Sequence, residues 1–375
     1  MKQEGILFRD MVSLLFRTEN TVLSEAYPKG KGRTSMTSGG FAYGVDLGWV
    51  SQLEKEGYHW VDRSKNKTDP IAEARKSGAD SVRLRLFVNP PKVSYWEKKT
   101  GETCMLGYCD TDSVIALSRR VSENGMRLML DFHYSDHFAD PQYQDIPDGW
   151  KEENADQMAD SVFFYTRDTL EQFKQNGLEP EWIQVGNEIN PGILLPMGSM
   201  KEAPDNLVRF LNRGYDAVRE VFPACKVITH LAMLNNIELC EGFLDTFFGK
   251  GGKTDIIGLS HYPYWYGKRN YEKPLVYYLE RYQDRFGKPV MIVEVGGEQK
   301  DPEGTYELLM ETLDAVHQVP ENKGLGVFYW EPEAAMEVLP DRYPLGASEL
   351  VEDHTLQYTR ALSAYHDYRE REKTE

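Results

Sequence analysis

Eight short apolar runs, most of them followed by a stretch with apolar residues at three- and four-residue spacing, organise this chain of 375 residues. They cover residues 41–46, 82–88, 127–133, 182–188, 226–231, 255–261, 289–295 and 325–331. Runs of this kind read as parallel strands buried on both faces. The intervening helical stretches include residues 113–123, 155–175, 206–221, 271–285 and 303–317. Eight strands interleaved with helices through right-handed crossovers close into a (β/α)8 TIM barrel of the α/β class. The length agrees, because such barrels run from about 250 to more than 400 residues once loops are inserted. We expect a single catalytic domain over residues 41–372, preceded by an N-terminal extension over 1–40 that ends in a Gly-, Ser- and Lys-containing linker. No internal repeat, low-complexity tract or second domain is legible.

Composition narrows the partners. A formal net charge of -17 argues against nucleic acid and anionic membrane surfaces, both of which recruit Lys and Arg. The 22 Tyr, 16 Phe and 7 Trp suit a cleft that stacks sugar faces. Cys104, Cys109, Cys225 and Cys240 have no CxxC spacing, so free thiols are expected rather than a zinc or redox site. No stretch reaches the length of a membrane span. Arg9 and Asp10 interrupt the apolar residues near the start, so a cytoplasmic protein is expected, with secretion the alternative if an upstream start supplies a signal.

A barrel of this type carries chemistry where strands run into loops at their C-terminal ends, and polar residues collect there. The second run holds Arg83 and Arg85, and the third ends in Asp131-Phe132-His133. The fourth ends in Asn187-Glu188, the fifth in His230, the sixth in Ser260-His261-Tyr262, the seventh in Glu294 and the eighth in Tyr329-Trp330-Glu331. Glu188 and Glu294 matter most. Two carboxylates facing one cleft can cleave a glycosidic bond, one protonating the leaving oxygen while the other attacks the anomeric carbon or activates water. Asn187 can hold a sugar hydroxyl beside the reacting centre. A metal-dependent hydrolase built on Asp131, His133 and His230 is the competing enzyme class, but the chain has no HxH or HExxH spacing to support it. A barrel that binds oligosaccharide without cleaving it has no need of two carboxylates straddling one bond. No cofactor or metal is expected.

The segments Gly44-Val45-Asp46-Leu47, Val82-Arg83-Leu84-Arg85-Leu86-Phe87-Val88-Asn89-Pro90, Leu130-Asp131-Phe132-His133-Tyr134-Ser135-Asp136, Gln184-Val185-Gly186-Asn187-Glu188-Ile189-Asn190 and Phe328-Tyr329-Trp330-Glu331-Pro332 carry a further signal. In content and order they resemble glycoside hydrolase family 53, the arabinogalactan endo-β-1,4-galactanases of the retaining clan A. The resemblance implies that Glu188 is the acid/base, that Glu294 is the nucleophile, and that the substrate is galactan or its oligosaccharides. On that basis the two carboxyls should lie about 5 to 5.5 Å apart. Arg83 or Arg85, with His261 or Tyr262, should keep Glu294 ionised. Asn187, Asp131, His133, His230 and Trp330 should meet the sugar. The chain departs from the family pattern in three places. Glu294 is followed by Val295-Gly296-Gly297 where the family usually has Thr-Asn-Trp, His230-Leu231 by Ala232-Met233 where Asp-Asn is usual, and the sixth run reads Ser260-His261-Tyr262 in place of Ser-Tyr-Tyr.

Overall fold

A computed structural model describes residues 40–266 and 271–374. Eight parallel strands form a closed barrel: β1 (Ala42–Asp46), β2 (Ser81–Leu86), β3 (Arg127–Phe132), β4 (Trp182–Val185), β5 (Lys226–Leu231), β6 (Ile256–His261), β7 (Val290–Val295) and β8 (Gly324–Tyr329). Each strand pairs with its sequence neighbours, and β8 closes onto β1 through the register Gly44 to Phe328. Among the described residues, eight helices of seven residues or more surround the barrel: α1 (Pro70–Lys76), α2 (Thr111–Glu123), α3 (Ala155–Gln175), α4 (Pro204–Val221), α5 (Ile237–Gly249), α6 (Leu275–Phe286), α7 (Pro302–His317) and α8 (Ala364–Thr374). The eight strands expected from the apolar runs are thus all present. The extension expected over 1–40 lies outside the described residues apart from Gly40.

Local chemistry fixes several helix ends. Asn154 accepts from the backbone N–H groups of Asp156 and Gln157, and Gln157 reaches back to the Asn154 N–H, so both residues satisfy donors that α3 would otherwise leave open. Pro70 and Pro302 open α1 and α7, where a missing N–H costs nothing, with Asp69 and Asp301 as caps. Gly287 ends α6 with φ of 65°, a left-handed turn that glycine adopts without a Cβ clash.

Two apolar layers flank the strands. The outer one packs Val82, Leu84, Leu86, Ile183, Val227, Ile257 and Ile292 against the helices. Inside the barrel lie Ala42, Met129, Trp182, Ile228, Ile256, Met291, Val293 and Phe328. On β1 there is no room for a side chain at Gly44, because an added Cβ would stand 2.1 Å from the Phe328 ring. One strand position above this plug the interior turns polar, with Arg83, Asp131, Gln184, His230 and Ser260. Helices α1, α5 and α8 were not among the helical stretches named from the sequence, and the small sheet that packs Ser348–Glu352, Thr355–Tyr358, His59–Val61 and Lys67–Thr68 beside the barrel was not expected. α1 and the small-sheet strands are short, and α8 is mostly charged (AYHDYREREKT), so periodicity over them is weak.

Candidate active site

Arg83 is the centre of the barrel mouth. It is buried, and its guanidinium meets three carboxylates: Asp46 at 3.0 Å, Asp131 at 2.8 Å and Glu294 at 3.0 Å. Its Nη2 also donates to Asn187 Oδ1 at 2.8 Å. The fork geometry of arginine lets one cation serve several acceptors, which a lysine ammonium cannot do in the same positions. Burial alone would raise Asp131, but Arg83 and His133 outweigh it and hold its carboxyl below the usual range. His133 is itself oriented on both sides, since Nδ1 accepts from the Ala139 N–H at 2.9 Å and Nε2 reaches Asp131 Oδ2 at 2.8 Å.

Glu294 reaches this cluster through an irregularity in β7. Strict alternation would place Val293 inside the barrel and Glu294 outside. The pairing with β6 skips Val293, so that Leu259 faces Ile292 and Ser260 faces Glu294. This bulge turns the carboxylate inward, next to the interior Val293, the re-aiming that such irregularities provide beside active sites. Glu294 then takes Arg83 on Oε1 and a hydrogen bond from the Tyr262 hydroxyl on Oε2 at 2.9 Å.

Glu188 stands just beyond β4 with φ of 48°, a left-handed conformation that costs an L-residue about 1–2 kcal/mol. Its Oε1 accepts from Ser260 Oγ at 2.6 Å. Asn187 is clamped by Arg83, by Gln184 Nε2 at 3.0 Å, and by its own donation to Ala139 O at 2.8 Å. The two glutamates sit in different surroundings. Burial raises Glu188 well above the ordinary carboxylate range, and the charge of Glu294 pushes it further. Burial raises Glu294 too, but there Arg83 and the Tyr262 hydroxyl oppose it. Both acids are raised, but Glu188 is raised well above the ordinary range with no cation in contact, whereas Glu294 has Arg83 and Tyr262 against its carboxylate, and glycosidic cleavage requires two acids in unlike surroundings of this kind.

Several expected site residues turn out to face the protein. Arg85 is not the partner of Glu294: it pairs with Glu331, donates to Leu106 O at 3.0 Å, and stacks over Phe138 at 4.8 Å. His261 points outward from β6 to the Tyr271 hydroxyl at 3.0 Å, so Tyr262 alone supports Glu294 from that strand. His230 is fully buried, with both ring nitrogens engaged by Gln184, Asn187, Glu188 and Ser260. Tyr329, at the end of β8, is buried as well, its hydroxyl donating to Leu345 O at 2.9 Å. Trp330 remains half-buried and belongs to an aromatic wall with Tyr343 at 4.6 Å and Trp49 at 5.1 Å, continued by Trp265 at 6.3 Å from Tyr343. Asp131, His133 and His230 do not converge as metal ligands, because their inward atoms are taken by Arg83, Gln184, Ser260 and one another.

Sequence reasoning missed Asp46, Gln184 and Tyr343 as parts of this site and gave Ser260, though it stood among the strand-end polar residues, no role. Gln184 carried a usable signal, a polar residue inside the apolar run Trp182-Ile183-Gln184-Val185. Tyr343 carried none, since it lies in a loop that follows β8 without periodicity.

A closed (β/α)8 barrel with two such acids at its strand ends has the build of a glycoside hydrolase. The family described as Glycosyl hydrolase family 53 matches residues 42–365, and the chain belongs to that family. Among its relatives, the arabinogalactan endo-β-1,4-galactanase of Cellvibrio japonicus is 32% identical over 326 residues, covering 78% of this chain and 80% of that protein. A protein of Niallia circulans described only as lying in the bgaB 5' region is 29% identical over 322 residues, covering 78% and 83% of the two chains. A structure from a study of two fungal β-1,4-galactanases aligns with a TM-score of 0.74 at 25% identity, covering 87% of this chain and 99% of that one.

Proposed function

We propose that this chain is a retaining endo-β-1,4-galactanase, acting on galactan or on β-1,4-linked galacto-oligosaccharides, with Glu188 as acid/base and Glu294 as nucleophile. The observation that carries the residue roles is the contrast between the two acids: Glu294 holds Arg83 at 3.0 Å, while Glu188 holds only a neutral hydroxyl, Ser260 at 2.6 Å. The sugar assignment is supported by the named activity of the Cellvibrio japonicus and fungal relatives.

In the first step Glu294 attacks the anomeric carbon while Glu188 protonates the departing glycosidic oxygen. The glycosyl ester that forms consumes the negative charge of Glu294, which removes the nearby anion that helps hold the Glu188 proton. Glu188, now ionised, takes a proton from water as that water attacks the same carbon and frees Glu294. Two inversions leave the anomer retained. Asn187 is the group placed to bind the 2-hydroxyl, a contact that strengthens in the oxocarbenium-like transition state. Trp330 and Tyr343 supply an aromatic wall for the sugar face.

The test is product analysis on β-1,4-galactan and galactotetraose with the anomer followed by proton NMR in the first minutes. Formation of β-configured galacto-oligosaccharides supports the proposal. Initial release of the α-anomer, or turnover of β-mannan or β-glucan with galactan left intact, overturns it.

A further inference from the structure

We propose that His230 is the positioning residue of Glu188, gripping its backbone directly and its side chain through Ser260, and thereby directing the transferable proton to Oε2. The inference rests on the reading of Glu188 as acid/base and adds how that acid is held.

The direction of the hydrogen bonds follows from one obligatory donor. The Glu188 backbone N–H points at His230 Nδ1 at 3.3 Å, and the Gln184 amide nitrogen lies 3.1 Å from the same atom. A backbone amide can only donate, so Nδ1 carries the lone pair and the ring proton is on Nε2. The Asn187 Oδ1 atom, 2.9 Å from Nδ1, does not alter this, because its two lone pairs already accept from Arg83 Nη2 at 2.8 Å and from Gln184 Nε2 at 3.0 Å. His230 Nε2 therefore donates to Ser260 Oγ at 2.7 Å, and the single hydroxyl proton of Ser260 goes to Glu188 Oε1 at 2.6 Å.

Oε1 is thus committed as an acceptor, and the acid proton belongs on Oε2. The same imidazole secures the N–H of a residue held at φ of 48°, so one side chain fixes both ends of Glu188. His230 is fully buried and Ser260 nearly so, which keeps water from substituting for either bond. Burial and then Arg83 push the ionisation of His230 well down, so the ring stays neutral while Glu188 gains and loses its proton. The charged and titratable groups around the pair are Arg83 from β2, Asp131 and His133 at the end of β3, Asp140 beyond it, Tyr262 after β6, and Glu294 on β7.

The experiment compares Ser260→Ala, Ser260→Thr, His230→Phe and Glu188→Ala on two β-1,4-galactobiosides, one with a dinitrophenyl leaving group and one with an unactivated alkyl leaving group. Ser260→Ala should lower kcat/KM for the alkyl substrate roughly tenfold to a hundredfold, the effect of losing a hydrogen bond to a charged group, with little change for dinitrophenyl. Its alkaline limb should move to higher pH, because the lost bond favoured the carboxylate. Ser260→Thr should restore both, and His230→Phe should reproduce Ser260→Ala if it folds by thermal unfolding. If Glu188→Ala shows the leaving-group dependence and Ser260→Ala does not, the inference fails and the acid/base role stands. If Glu188→Ala itself loses both substrates equally, the acid/base reading fails.

Discussion

Arg83 on β2 and Glu294 on β7 meet at 3.0 Å across the barrel mouth, although β1 and β8 lie between their strands. The contact joins the cation that organises the polar layer to the carboxylate proposed as nucleophile. It exists only because the β7 bulge turns Glu294 inward.

Replacing Arg83 should therefore harm stability and activity together. Arg83→Met leaves Asp46, Asp131 and Glu294 buried around no cation, a loss of about 3–5 kcal/mol for a broken buried pair. Chemical denaturation checks the stability. Arg83→Lys should keep the fold, yet lose most kcat, because one ammonium cannot reach three carboxylates and Asn187 at once. Wild-type kcat in Arg83→Lys would contradict the central role given to this side chain.

Glu188→Gln and Glu294→Gln should each abolish nearly all hydrolysis with the fold intact, since neither role is open to an amide. Azide should rescue the alanine variants with opposite stereochemistry. Glu294→Ala should yield an α-galactosyl azide from an activated β-substrate, and Glu188→Ala a β-galactosyl azide. NMR of the two products assigns nucleophile and acid/base independently of any rate.

The pH profile should be bell-shaped, with Glu294 setting the acid limb and Glu188 the alkaline limb above the ordinary glutamate range. Stability should follow the same ionisation. Glu188 is raised in the fold by burial and by Glu294, so its burden is absent at acid pH, where folded and unfolded forms are both protonated. It grows as pH rises from the ordinary glutamate range, where the unfolded chain ionises first, and is complete above the folded value. Glu188→Gln should then melt at a higher temperature than wild type at alkaline pH, with a smaller difference at acid pH. A difference independent of pH would show that Glu188 does not carry the shift.

Substrate length should also distinguish this chain. The tryptophan usual after the nucleophile is replaced by Val295-Gly296-Gly297, and Tyr343 beside Trp330 offers the nearest substitute wall. Each lost stacking or hydroxyl contact is worth on the order of 1 kcal/mol, about fivefold in affinity. We expect kcat/KM on galactotetraose to exceed that on polymeric galactan, with Trp330→Ala and Tyr343→Ala lowering both and Trp265→Ala affecting the longer substrate more. Polymer activity indifferent to all three residues would place the binding surface elsewhere.

Glu331 serves the closure of the barrel. Its carboxylate accepts from the Gly48 and Trp49 backbone N–H groups at 3.0 and 3.1 Å and pairs with Arg85, fastening β8 to the loop after β1. Glu331→Ala strands the buried Arg85 and should cost about 3–5 kcal/mol in chemical denaturation, more than any single cleft aromatic.

The sequence by itself determined the barrel and the position of its acids along the chain. Strands buried on both faces show as unbroken apolar runs, and an apolar run that closes on Asn187-Glu188 or on Glu294 is a local pattern. Which polar residue touches which was not local. Arg83 and Arg85 stand on the same face of β2 and look equivalent in sequence. Only the closed barrel sends one to Asp46, Asp131 and Glu294 and the other to Glu331. His230 read as a sugar ligand, but in three dimensions the polar side chains of β4 and β6 enclose it and turn it into a brace. The physical reason is that apolar burial has a period and therefore leaves a trace in the chain. A hydrogen bond across the barrel depends on strand tilt, register and one bulge, none of which has a sequence period.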